Sequence, residues 1–194
     1  SASQVRSFTN AQVTALTTEQ IGALSAANVA SFNTAQLQAL SSSQVQRLSD
    51  EQVGAMLNGQ VAALKTNQIN LLSSDQIAAL STSAIAALTT AQVRALGSAQ
   101  LQSLSDGQLG ALTSTQVRSL TADGNGVGAL SGERMAALST AAVRGLTTTQ
   151  VAALGTAQLR SLTTSQANAL TSSQVQALAA STAGVGALTN DQIA

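Results

Sequence analysis

The chain has 194 residues, with no Cys, His, Pro, Trp or Tyr, two Phe, and eight basic against eight acidic residues. That balance leaves no net field to draw nucleic acid or an anionic membrane towards it, and it removes the usual general base, the thiol nucleophile and the best soft metal ligands. Disorder is disfavoured as well, because 44% of the residues are apolar and regularly spaced. No run approaches the ~20 apolar residues of a membrane-spanning helix, and no signal peptide opens the sequence.

The first residues, Ser1-Ala2-Ser3-Gln4, stand in mid-pattern, as does Ala194 at the other end. They suggest an excised or processed piece of a longer repetitive protein. The pattern itself has a period of eight. Gln recurs in 18 of 24 repeats, from Gln4 to Gln192, and Val, Ile or Leu follows it in 22 of 24. A Leu closes 20 of 23 repeats, with Phe8, Phe32 and Met56 as the exceptions. Three residues before the Gln slot stands Ser, Thr, Asn or Asp in 20 of 24 repeats. This is a capping box, in which the first side chain accepts the N3 amide hydrogen and Gln reaches back to the N-cap amide. Each repeat is therefore expected to form one helix of about six or seven residues, too short to stand alone in water.

In chain order, the first five repeats are regular except for the two Phe and for Asn28 in the Gln slot. Between Arg47 and Leu71 the rule loosens. Arg47 and Leu71 take a slot that is normally Ala, Ser or Gly, Met56 replaces the closing Leu, and Leu57 and Lys65 replace capping hydroxyls. Departures from a repeat rule are where a contact site is sought first. Regular repeats resume through TTAQVRAL (89–96). Two insertions of two residues follow, at 121–130 and 179–188, each with its own expected cap, Asp123 and Ser181.

All eight acids fall on the cap, N1 or N2 positions, where the helix dipole favours negative charge. Arg6, Arg94, Arg118, Arg144 and Arg160 share one slot two residues beyond Gln, nearer the helix end. Local helix electrostatics accounts for both sets. Arg94, Arg118 and Arg144 recur at every third repeat and complete the set of candidate contact residues with Arg47, Met56, Leu57, Lys65 and Leu71. Asp123-Gly124-Asn125-Gly126 has the opening spacing of a calcium loop but lacks its later carboxylate, so a glycine-rich turn is the better reading.

The run LTTAQVRAL at 88–96, with LTTTQVAAL at 146–154, resembles the Leu-Thr-Thr-Ala-Gln octapeptide tracts of very large bacterial surface or secreted proteins, some labelled as adhesion or haem-utilisation proteins. The resemblance covers essentially the whole chain and implies an extracellular stalk, spacer or adhesive array. For haem, Met56 and Met135 are the only candidate soft ligands, and their places in the Leu and Val slots point to core packing.

The expected architecture is all-α: a single solenoid over 1–194, with one short capped helix per octapeptide. At about 8–10 Å per layer it would form a rod roughly 70–120 Å long, according to whether two or three repeats complete a turn. The recurrence of Arg94, Arg118 and Arg144 favours three, but the pattern alone allows both. The function expected is that of a non-enzymatic spacer or adhesive region of a bacterial surface protein. It would need no cofactor, and its partners would be an unidentified surface or neighbouring repeats of the same protein, with neither nucleic acid nor membrane insertion expected. The alternatives are a solenoid binding module for peptide, glycan or nucleic acid, and an ice-binding or hydration surface built on the repeated Thr hydroxyls.

Overall fold

A computed structural model describes residues 2–193; Ser1, the cap slot of the first repeat, and Ala194 lie outside the described residues. Twenty-two short α-helices and two 3₁₀ turns succeed one another, with no strand among the described residues. The chain is an all-α repeat solenoid.

Each helix starts and stops for reasons visible in one octapeptide. Before Ser42–Arg47, Ser41 is extended at φ −68°, ψ 163°, and its hydroxyl accepts the Gln44 amide. At the other end Leu48 leaves the helical region at φ −56°, ψ 137°, while its N–H still bonds the Val45 carbonyl. An extended Leu followed by an extended cap residue forms a corner, and the next helix begins at once. Helices of four to eight residues follow, held by packing rather than by propensity.

Packing runs between every third repeat. In the body Ser1–Ala95, Asn10–Ala15 packs on Thr34–Ala39, which packs on Asn58–Ala63, and that helix on Thr82–Ala87. A second column consists of Thr18–Gly22, Ser42–Arg47, Thr66–Leu71 and Thr90–Ala95. In the body Leu96–Ala194, Ser114–Ser119, Thr140–Gly145, Thr164–Asn168 and Asn190–Ile193 stack in the same way. Three octapeptides make one turn in each body. Most Val and Leu slots point into the interior, where Ile21, Ile69, Leu109 and Leu159 are fully buried, while Val175, Val185 and Ile193 near the C-terminal end are exposed.

Both insertions replace the α-helix of their repeat by a three-residue 3₁₀ turn, Val127–Ala129 and Val185–Ala187. Asp123 therefore does not cap a helix as expected. Its Oδ1 accepts the Thr121 hydroxyl at 2.6 Å and the Asn125 amide at 2.9 Å, closing a turn that absorbs the extra residues. Ser181 plays the same local part, accepting the Gly184 amide at 3.2 Å. Gly126 is required here, because a Cβ would stand 2.1 Å from the Thr121 carbonyl oxygen. Val127 and Leu130 return to their buried slots, and the 3₁₀ turn Val127–Ala129 packs on Ser98–Ser103, three repeats earlier. Stacking order survives the insertion.

Candidate functional site

The most repeated polar geometry in the molecule surrounds the Gln slot. Gln92 Oε1 accepts the Thr89 amide at 2.7 Å, and the Gln92 amide donates to Thr89 Oγ1 at 3.2 Å. This is the expected capping box. Beyond it, Gln92 Nε2 donates to the carbonyls of Val61 at 2.9 Å and Leu64 at 2.7 Å. Those carbonyls belong to the end of a helix four repeats earlier, in the turn below; Val61 O also accepts the Leu64 cap amide at 3.2 Å, whereas Leu64 O lies past the last helical bond.

The arrangement recurs in the same body at Gln36, Gln44 and Gln52. It recurs in the other body at Gln150, Gln166 and Gln174. A primary amide has one acceptor and two donor hydrogens, and each of these side chains uses all three. Burial follows: Gln92 is 2% exposed, whereas Gln12 and Gln20, with no earlier turn to clasp, are exposed. Residue spacing pointed only to the bond within the repeat. The bond between turns joins residues 28 and 31 apart in sequence and depends on the three-repeat turn.

A second link crosses the turns from the slot two residues beyond Gln. Thr14 Oγ1 donates to Ala39 O at 3.3 Å, Gln38 Nε2 to Ala63 O at 2.6 Å, and Asn70 Nδ2 to Ala95 O at 3.0 Å. In the other body Arg118 Nε donates to Gly145 O at 3.2 Å. Positive charge does meet helix-end carbonyls there, as the dipole argument requires, but the carbonyl is that of the next turn. Gly54 fills the same slot without a donor, and a Cβ there would lie 2.9 Å from Ala79 O.

The exceptions show which parts of the device are separable. Leu57 and Lys65 supply no side-chain acceptor, so the Gln60 and Gln68 amides bond the cap carbonyls instead, each at 2.9 Å. Their Gln side chains still accept the cap amides. Ala84 and Ala142 occupy the Gln slot and are buried; they have no amide to offer the turn below. Arg134 substitutes for Gln by another route, donating to the carbonyls of Leu104 and Gln102 and pairing with Asp106 at 3.1 Å. Its place in the Gln slot was the sequence signal for that role.

The structure separates the candidate contact residues. Met56 is buried in a Leu slot, and Leu57 beside it is 63% exposed. Leu57 borders an open groove of ≈ 580 Å³ with Arg6, Phe32, Asn33, Thr34 and Gly59. Phe32 and Met56 close helices of the same column. Leu71, half-buried, lines a different groove of ≈ 460 Å³ with Ser42, Thr66, Asn67 and Asn70. Arg47 is exposed and lies against Gly22, whose Cβ would meet Arg47 Nε at 3.2 Å. Lys65 and Arg94 are exposed and line neither groove. Arg118 and Arg144 are brought together, in a groove of ≈ 410 Å³ with Ser114, Ala141, Gly145 and Thr171.

Two carboxylates are held below their ordinary range. Glu19 is lowered first by its own backbone amide, then by the Thr17 and Thr18 hydroxyls, with Arg47 the weakest contributor. Asp123 is lowered by the Thr121 hydroxyl and then by the Asn125 amide. Both shifts follow from local turn geometry. No group of three or more His, Cys, Asp or Glu side chains converges among the described residues, and no described helix is long and apolar enough to cross a membrane. Met56 and Met135 are both buried in core slots.

The ALTTAQ repeat matches the chain five times, at residues 26–58, 53–90, 85–122, 127–159 and 151–180. No curated protein matches it. The five segments span well over half of the sequence and coincide with the capped, Gln-clasped octapeptides, so the chain belongs to the ALTTAQ repeat family.

Proposed function

We propose that this chain is a non-catalytic structural array, serving as the spacer or stalk of a bacterial surface or secreted protein. The observation that supports this reading most is the use made of Gln. At corner after corner a buried side chain accepts the cap amide of its own repeat and donates its amide hydrogens to carbonyls of the turn below. Polar groups that a binding or catalytic protein would present to a ligand are consumed here in stacking the chain on itself. Such a linear array extends by adding turns, each stabilised by its neighbours.

Small-angle scattering tests the mechanical part of the proposal. An extended array has a radius of gyration clearly above the ~16 Å of a globule of this length, and the value rises when further octapeptides are added. A compact value that did not change with repeat number would overturn it. The surface location is tested in cells producing the full-length protein, where external protease should cleave the array without lysis. An ice-binding role is less well supported, because Leu57, Lys65, Gly97 and Gly155 interrupt the row of cap hydroxyls.

A further inference from the structure

We propose that the groove containing Arg118 and Arg144 binds the sulfate groups of an anionic polysaccharide. The site is built by close approach of two stacked helices. A Cβ at Gly145 would stand 2.6 Å from Ser114 Cβ, so glycine lets Thr140–Gly145 settle on Ser114–Ser119 and opens both guanidinium groups to one groove. Arg118 is fixed there by its Nε bond to Gly145 O at 3.2 Å. That bond uses Nε alone, and the two Nη groups are further donors of the kind that pair with an oxyanion.

Charge in the groove is uncompensated. The helices Ser114–Ser119, Thr140–Gly145 and Thr164–Asn168 contain no acidic residue, and the carboxylate of Asp106 pairs with Arg134 instead. Hydroxyls of Ser114 and Thr171 complete the lining. Thr171 Oγ1 accepts the Gln174 amide at 3.3 Å, so its own hydrogen can be donated to a ligand.

The lining also discriminates between classes of anionic partner. Single-stranded nucleic acid is held by aromatic stacking as well as charge, and this groove has no aromatic residue. A docked peptide takes its affinity from large apolar anchors in fitted pockets, whereas the apolar lining here is limited to Ala141 and Gly145. Paired guanidinium groups flanked by hydroxyls suit a chain of sulfated, hydroxyl-bearing sugars.

The test is calorimetric titration of the whole chain with a sulfated heparin octasaccharide. Its fully desulfated counterpart and a single-stranded DNA oligonucleotide of matched charge serve as the comparison arms. The expected result is salt-sensitive binding of the sulfated sugar, weakened at least about tenfold in Arg118→Gln/Arg144→Gln. Arg144→Gln alone, which leaves the Arg118 cross-link in place, should weaken it measurably with an unchanged helical spectrum. No binding, equal binding of the desulfated sugar, equal or tighter binding of the DNA, or wild-type affinity in the double variant would each overturn the proposal. None of these outcomes bears on the spacer reading, which scattering tests separately.

Discussion

Two corners of the N-terminal body, one covered by Gln92 and the other by Ala84, use the same octapeptide plan and differ by one amide. Both caps are intact: Thr89 accepts the Gln92 amide at 3.2 Å and Ser81 accepts the Ala84 amide at 3.1 Å. Over the first corner the side chain then clasps Val61 and Leu64. Over the second there is no clasp, and the corner beneath, at Met56 and Leu57, is where the chain departs from its rule twice more. A different bond joins the turns there, from the Ser83 hydroxyl to Asn58 Oδ1 at 3.2 Å. Starting a helix and clasping the corner below it are thus separable tasks, and the Gln side-chain donors serve the second.

The largest effect should come from breaking the intact corner. Gln92→Ala removes the bond to the Thr89 amide and the clasp on the turn below, leaving Val61 O with the Leu64 amide alone and Leu64 O without its donor, so unfolding free energy should fall by about 1–3 kcal/mol. Denaturant melts measure it, and a loss no greater than that of the capping substitution Thr89→Ala would mean that the clasp contributes little.

Mending the open corner should have the opposite and smaller effect. Ala84→Gln places an amide where the pattern directs it, towards the carbonyls of Val53 and Met56, and should add about 0.5–1.5 kcal/mol. Destabilisation would show that this corner has closed around Ala84, which is fully buried. The two substitutions together exchange the properties of the corners.

The smallest effect is electrostatic. Glu19 and Asp123 have folded-state pKa values below their ordinary ones, so each stabilises the fold above the unfolded carboxylate pKa of about 4, and loses that contribution as pH falls through the folded value. With no His in the chain, melting temperature should be flat from about pH 5 to 8 and decline gently below. Asp123→Asn should make the acid limb shallower. A sharp transition near neutrality would contradict this account.

Much of the fold was legible because the octapeptide encodes it locally. Cap, N3 Gln, apolar pair and closing Leu determine where each helix starts, which way it faces and where it stops. What lies between turns was less legible. The acceptors of Gln92 Nε2 are residues 28 and 31 positions earlier, and nothing within one repeat says whether two or three complete a turn. The same gap scattered the candidate contact residues. Leu57 and Leu71 look like one irregular stretch in sequence, yet they border different grooves, whereas Arg118 and Arg144 share one because the turn length brings every third repeat into a column. Asp123 kept its capping chemistry but applied it to a turn, since Gly124, Gly126 and Gly128 make the segment that follows it a poor helix former.

The three-repeat turn underlies all of these assignments, and disulfide trapping measures it most directly in a chain with no Cys. A Cβ at Gly54 would lie 3.6 Å from Ala79 Cβ, within the Cβ separation of a disulfide, about 3.5–4.5 Å, once the two helices part slightly to relieve its 2.9 Å approach to Ala79 O. Under a two-repeat turn the residue brought beside Gly54 would instead be Leu71, one octapeptide nearer. The account predicts that Gly54→Cys/Ala79→Cys oxidises readily to an intramolecular disulfide while Gly54→Cys/Leu71→Cys stays reduced under the same conditions. Efficient trapping of the 54–71 pair and none of 54–79 would contradict it.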